Sequence, residues 1–160
     1  MIMTGLEPRG FTWVIANRLA VSERIGGYGF QHRRVRREEE IAWLKHAGIK
    51  AVLSLLEGNQ NLAAYHAAGI DAVNEPLVEL EPDAVRRVFR AMTELTSKRN
   101  SVLLIHRDLV DDTVAGVLAG FLIHSGRVKD PIMATALVQE ILKRPLGPEA
   151  RAIIPLSTGS

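Results

Sequence analysis

Short apolar runs alternate along this chain with stretches in which apolar residues recur every three or four positions, the signatures of buried strands and amphipathic helices. Residues 11–15 and 19–21 predict two strands around a turn at Ala16, Asn17 and Arg18, and the glycine-rich stretch from Ile25 to Gly29 predicts a loop. Residues 38–46 predict a helix with Ile41 and Leu44 at helical spacing and Gly48 where a C-terminal cap belongs. A buried strand over 51–55, a helix over 60–68 ended by Gly69 and a strand over 70–73 stopped by Pro76 follow. Residues 82–96 predict a longer helix, with Val85, Val88, Phe89, Met92 and Leu95 on one face and Pro82 in its first turn. Residues 101–105 are the best candidate for a central strand. The nearly all-apolar stretch 114–124 predicts a buried helix whose Ala115, Gly116, Ala119 and Gly120 permit close packing, and two more helices are expected over 130–143 and 148–153. Strands joined through helices predict an α/β fold with three layers, a mostly parallel central sheet flanked by helices.

Length fits one domain over residues 1–160, with a core over about 11–154, and 160 residues bury a core without covalent staples. The chain contains no cysteine, which excludes a disulfide framework, a cysteine-ligated metal and a cysteine nucleophile. Formal net charge is only +2, so no basic excess points to nucleic acid. No apolar run approaches bilayer length, and residues 1–10 carry Glu7, Pro8 and Arg9 without an apolar segment, so no membrane contact and a cytoplasmic location are expected.

Chemistry is expected where residues 102–106 feed the loop 107–113 and then a buried helix, since the first amides of such a helix are unpaired and its dipole favours anions. Several features share an order and spacing with a known family: Phe11-Thr12-Trp13-Val14, Leu19-Ala20-Val21-Ser22, Trp43-Leu44-Lys45 with Gly48-Ile49, Gly69-Ile70, and a strand ending in His106. Together they resemble the compact dual-specificity phosphatases of the protein tyrosine phosphatase superfamily, from about residue 11 to 154. That resemblance implies a signature of His-Cys, five residues and Arg, in which a low-pKa thiolate attacks phosphorus and the arginine clamps phosphate oxygens.

Laid on this chain without a gap, the signature histidine is His106, which the resemblance gives a loop-orienting role. Arg107 stands at the nucleophile position, the loop is Asp108, Leu109, Val110, Asp111 and Asp112, and Thr113 stands at the clamping arginine's position. A guanidinium offers no lone pair to attack phosphorus, and threonine cannot form the bidentate clamp. Val110 resists the positive φ that a mid-loop glycine supplies. Asp108, Asp111 and Asp112 put negative charge where a dianion would sit. The family's general acid falls nearest Glu79, with Glu81 as a second candidate.

The expectation is therefore a pseudophosphatase without catalytic residues, needing no cofactor and no metal, that binds a protein partner or a phosphorylated ligand. Arg107, Thr113 and Val114 are the candidate ligand contacts, and the degraded loop favours the protein partner. The alternative is a phosphoric-ester hydrolase with a carboxylate- or metal-assisted mechanism built on Asp108, Asp111, Asp112 and Glu79. Against it stands a simpler use of the aspartates, capping the following helix and neutralising its dipole.

Five histidines, His32, His46, His66, His106 and His124, show no metal-ligand spacing, and His46 and His66 fall near helix C-termini. The run His32-Arg33-Arg34-Val35-Arg36-Arg37 precedes Glu38-Glu39-Glu40 and predicts an exposed loop before a helix with an acidic first turn. Arg33, Arg34, Arg36 and Arg37 form a second candidate surface for a partner, and a nucleic-acid contact there is the less favoured reading.

Overall fold

In the computed structural model, residues 5–27, 34–58 and 61–158 are described. Five strands, β1 (Thr12–Ile15), β2 (Leu19–Ser22), β3 (Ala51–Ser54), β4 (Asp71–Asn74) and β5 (Leu103–His106), form one sheet in the order β1-β2-β5-β3-β4. Only β1 runs antiparallel, hairpinned to β2 through Asn17 in the left-handed region. β2, β5, β3 and β4 are parallel, so β5 lies between two parallel neighbours, as a chain of strand–helix–strand units demands.

Six helices complete the three layers: α1 (Arg34–His46), α2 (Leu62–Ala67), α3 (Pro82–Ser97), α4 (Asp112–His124), α5 (Pro131–Leu142) and α6 (Pro148–Ile153). Alternation along each strand divides the core between the two faces. Leu19, Val21, Leu53, Leu103 and Ile105 pack with α3, α4, α5 and α6. Ala20, Val52 and Leu104 face the other way, against Ile41, Trp43 and Leu44 of α1 and Tyr65 of α2. A short 3-10 turn, Ile154–Thr158, closes the chain, an element the sequence pattern does not announce.

Boundaries differ from expectation by a residue or two in most elements, α4 beginning at Asp112 rather than Val114, and in two elements the reason is visible. The central strand begins and ends later than 101–105, because Leu103–His106 pairs with both β2 and β3. Helix α1 begins at Arg34, four residues early: Arg34–Glu38 and Arg36–Glu40 ion pairs at 2.9 and 3.2 Å tie its first turn to its second. The basic residues thus form the first turn itself, against the dipole, with no acidic residue there. As expected, Gly48 ends α1 at φ +94, with its amide bonded to the Lys45 carbonyl.

Helix α4 is buried on every side from Thr113 to Ile123, and its glycines explain how. A Cβ on Gly116 would lie 2.6 Å from the Ala150 Cα, and one on Gly120 would lie 2.5 Å from the Phe89 ring. Among the described residues no helix is long and apolar enough to cross a membrane.

Gly116→Ala should therefore lower stability by about 1–3 kcal/mol despite alanine's better helix propensity, because backbone rather than a flexible side chain must yield. Denaturant melts of the two proteins measure this, and an equal or higher midpoint for the variant would contradict the packing.

Candidate functional site at the end of the central strand

Each parallel strand ends in a polar residue: Ser22, Ser54, Asn74 and His106. Registration makes these one row across the sheet, Ser22 beside His106, His106 beside Ser54 and Ser54 beside Asn74. The C-terminal edge of a parallel sheet is where α/β folds place their ligand sites. The Asn74 amide donates to the Ser54 and Leu56 carbonyls, fixing the loop after β3, and the Leu56 amide donates to Ser54 Oγ. The sequence signal was available, since every apolar run closes on a polar residue, yet only His106 stood out.

His106 is fully buried, and neither ring nitrogen completes a hydrogen bond. Burial pushes its pKa down to about 4, with the Arg107 backbone opposing the shift and the Arg24 charge adding to it. The ring is therefore neutral near pH 7, a packed layer under the loop.

Above it, a cleft of about 290 Å³ is lined by Leu55, Leu56, Glu57, Leu77, Val78, Arg107, Asp108, Leu109 and Asp111. Most of these come from the loops after β3 and β4; the motif reading connected the second of these with the site, through Glu79, but not the first. The loop from Arg107 to Asp111 contains no positive-φ residue, so Val110 is accommodated by a course that avoids the left-handed region.

Arg107 does enter the cleft, but its charge is answered within the loop. Its Nη1 donates to Asp111 Oδ2 at 2.9 Å. The other oxygen of the same carboxylate, Oδ1, accepts from the Val114 amide at 3.0 Å, so Asp111 is also the N-cap of α4. Asp108 lies 3.6 Å from Arg24, whose amide also bonds the Asp108 carbonyl. Arg144 donates to the Val110 carbonyl at 3.1 Å.

Three expectations change. Asp112 does not face the cleft: it turns to α6, where its carboxylate accepts from the Gly147 amide at 2.6 Å and the Ala150 amide at 3.0 Å. Burial would raise its pKa, but those two amides, Glu149 and the Arg144 charge outweigh that effect and hold the carboxyl below its usual range. Thr113 is buried in α4 and is not among the residues that line the cleft. The Val114 amide, one of the first donors of this helix, is already bonded to Asp111, and its side chain is fully buried.

The remaining candidates scatter. Glu79 and Glu81 are exposed in the loop before α3, outside the cleft lining, while Val78 beside them does line it. Arg33 lies outside the described residues, as does His32. Arg34 is exposed and paired with Glu38; Arg36 is folded onto Glu40, a fully buried carboxylate that also accepts from the Gly26 amide; Arg37 is half-buried. The run is thus not one free basic surface. His46 and His66 sit in the last turns of α1 and α2, as expected. Among the described residues no group of three His, Asp or Glu side chains converges on a point where a metal ion would be held, the outward turn of Asp112 having separated the loop aspartates.

This architecture recurs in solved structures. The chain matches Tk-PTP in its active form at a TM-score of 0.73 and 15% identity, covering 94% of this chain and 98% of that one. It matches kinase associated phosphatase with serine at its catalytic-site cysteine at 0.71 and 14%, covering 91% and 92%. The fold is that of the dual-specificity phosphatases. Human DUSP28 agrees, at a TM-score of 0.66 and 14% identity over 94% of each chain. No protein-family model matches the sequence, and no curated protein matches it. On this fold, the cleft beside β5 and α4 includes an arginine and an aspartate, Arg107 and Asp111, that are bonded to each other.

Two measurements probe the support of the loop. His106, neutral when folded, binds a proton more readily when unfolded, so its contribution to stability is full above about pH 6.5 and falls away toward pH 4. The loss amounts to about 3 kcal/mol over that window, and His106→Gln should flatten this part of a melting-temperature–pH curve. An unchanged curve in the variant would contradict the buried neutral ring. Asp112→Ala should cost about 2 kcal/mol by leaving the Gly147 and Ala150 amides unpaired. Because the Asp112 pKa is depressed in the fold, the deficit should be present at neutral pH and vanish as acid protonates the wild-type carboxyl, a convergence that paired melts would reveal.

Proposed function

We propose that this protein is a pseudophosphatase, a phosphatase fold that acts by binding rather than by hydrolysing phosphate esters, and that its ligand is a protein segment held in the cleft. The observation that carries the reading is the closed circuit of Arg107, Asp111 and the Val114 amide. The cleft's arginine and one of the first amides of α4 are both bonded to one carboxylate, which competes with a phosphate for them. No thiolate is available to attack phosphorus, because the chain has no cysteine.

The cleft's other walls fit a protein better than a phosphate. Leu55, Leu56 and Leu77 form an apolar floor, and Val78 and Leu109 stand exposed at 57% and 44%. With Asp108 and Asp111 paired to Arg24 and Arg107, Glu57 is the carboxylate of the lining without an ion pair among the described residues, which disfavours a dianion and suits an apolar segment without acidic side chains. The reading places the protein in the cytoplasm, with no metal or organic cofactor.

A thermal-shift titration with phosphate and tungstate, beside a p-nitrophenyl phosphate assay with and without Mg²⁺, tests this. The wild type should show neither a saturable shift nor turnover. Asp111→Asn keeps a capping oxygen for Val114 but releases Arg107 from its ion pair, so this variant should gain an anion-dependent shift. Wild-type anion binding without turnover would turn the reading toward a phosphorylated ligand. Turnover that depends on a divalent ion would replace it with carboxylate- or metal-assisted hydrolysis.

A further inference from the structure

On the sheet face opposite α3 and α4, a groove of about 610 Å³ lies between α1 and α2. Its walls are apolar: Ile41 from α1, itself only 5% exposed, and Ala63, Ala64 and Ala67 from α2. Each α2 side chain there ends at its Cβ, so the space between the two helices stays open.

The uncompensated charges around it are of one sign. At 3.6 residues per turn and 1.5 Å per residue, Arg37, Ile41 and Lys45 stand on one stripe of α1, within an arc of about 80° and with about 12 Å between first and last. Arg34 and Glu38 lie on the same side, but they are bonded to each other at 2.9 Å and cancel. Arg37 and Lys45 hold no ion pair among the described residues, and the Arg37 Nε is buried without a hydrogen-bond partner. Among the described residues of the arginine run, Arg37 is the one that lines this groove, and α2 brings no charge to it. The result is an apolar trough with an unpaired cation toward each end.

That combination selects among occupants. An apolar floor between two cations fits a segment that carries an apolar side chain between two acidic ones. On a helix, acidic, apolar and acidic residues spaced four apart repeat the ladder of α1. A bilayer fits less well, since an interfacial surface projects its apolar side chains, whereas Ile41 is recessed between longer charged ones. We propose that this groove docks an acidic amphipathic helix of a partner protein, with its carboxylates on Arg37 and Lys45 and an apolar side chain seated between them over Ile41. No residue lines both the groove and the cleft, so the proposal stands whatever the cleft binds.

An NMR titration of the isotope-labelled chain tests it with two synthetic amphipathic helical peptides. Both carry the same leucine face, one with glutamates flanking a leucine at four-residue spacing and the other with lysines in their place. The Glu peptide should give saturable shifts confined to the amides of α1 and α2, and the Lys peptide should bind about tenfold or more weakly. Lys45→Glu, at an exposed position, should leave the melting temperature unchanged while weakening the Glu peptide several-fold and strengthening the Lys peptide. Ala67→Leu, also at an exposed position, fills the groove from the α2 side and should block the Glu peptide without loss of stability. No shift up to roughly 1 mM Glu peptide overturns the proposal. So do equal affinities for the two peptides, a Lys45→Glu variant that binds the Glu peptide as the wild type does, or shifts in the loop 107–111 instead of α1 and α2. Vesicles of phosphatidylglycerol that sediment the wild type but not Lys45→Glu, with the Glu peptide inert, would overturn it in favour of a membrane surface.

Discussion

One carboxylate fixes the character of the site. Asp111 takes a guanidinium hydrogen bond from Arg107 on one oxygen and the Val114 amide on the other. A helix N-terminus at the end of a parallel strand is an anion site by default, because its first amides and its dipole lack partners. Here the anion is a side chain of the same loop, covalently present and always at full occupancy. One of the orphan donors at this helix start is thus satisfied from within the loop.

Asp112, the next residue, serves a different helix. By accepting from Gly147 and Ala150 it caps the start of α6 and ties it across the N-terminus of α4, where Gly116 already brings the two backbones close. Two successive aspartates thus satisfy two helix starts, and the loop between β5 and α4 becomes a structural joint. Beneath it, the polar row of Ser22, His106, Ser54 and Asn74 persists at the sheet edge, with a neutral buried imidazole at its centre. Arg107 and Asp111 above this row are bonded to each other, while the imidazole within it is buried without a completed hydrogen bond.

What remains exposed is apolar rather than charged. Val78 and Leu109 stand at the cleft, and Ile132, Met133 and Leu137 line α5. The charged side chains near the cleft are largely paired, Arg24 with Asp108 and Arg107 with Asp111, so this surface offers apolar area more than net charge.

The alternation of apolar runs with three-and-four periodicity determined the fold class, because burying one face of each element permits few layered arrangements. It also showed that the chain offers no cysteine thiolate, since a missing residue type needs no structure to be seen. The destination of each aspartate was decided only in three dimensions. Asp108, Asp111 and Asp112 are alike in sequence, but the partners that separate them, Arg24, Val114 and the amides of Gly147 and Ala150, lie up to 84 positions away along the chain, the span from Arg24 to Asp108. The start of α1 was misplaced for a similar reason: a run of arginines looks like a solvated loop until Arg36 meets the buried Glu40. Periodicity is a local property and survives in the sequence; charge pairing depends on which loops the sheet order brings together, and that belongs to the tertiary structure.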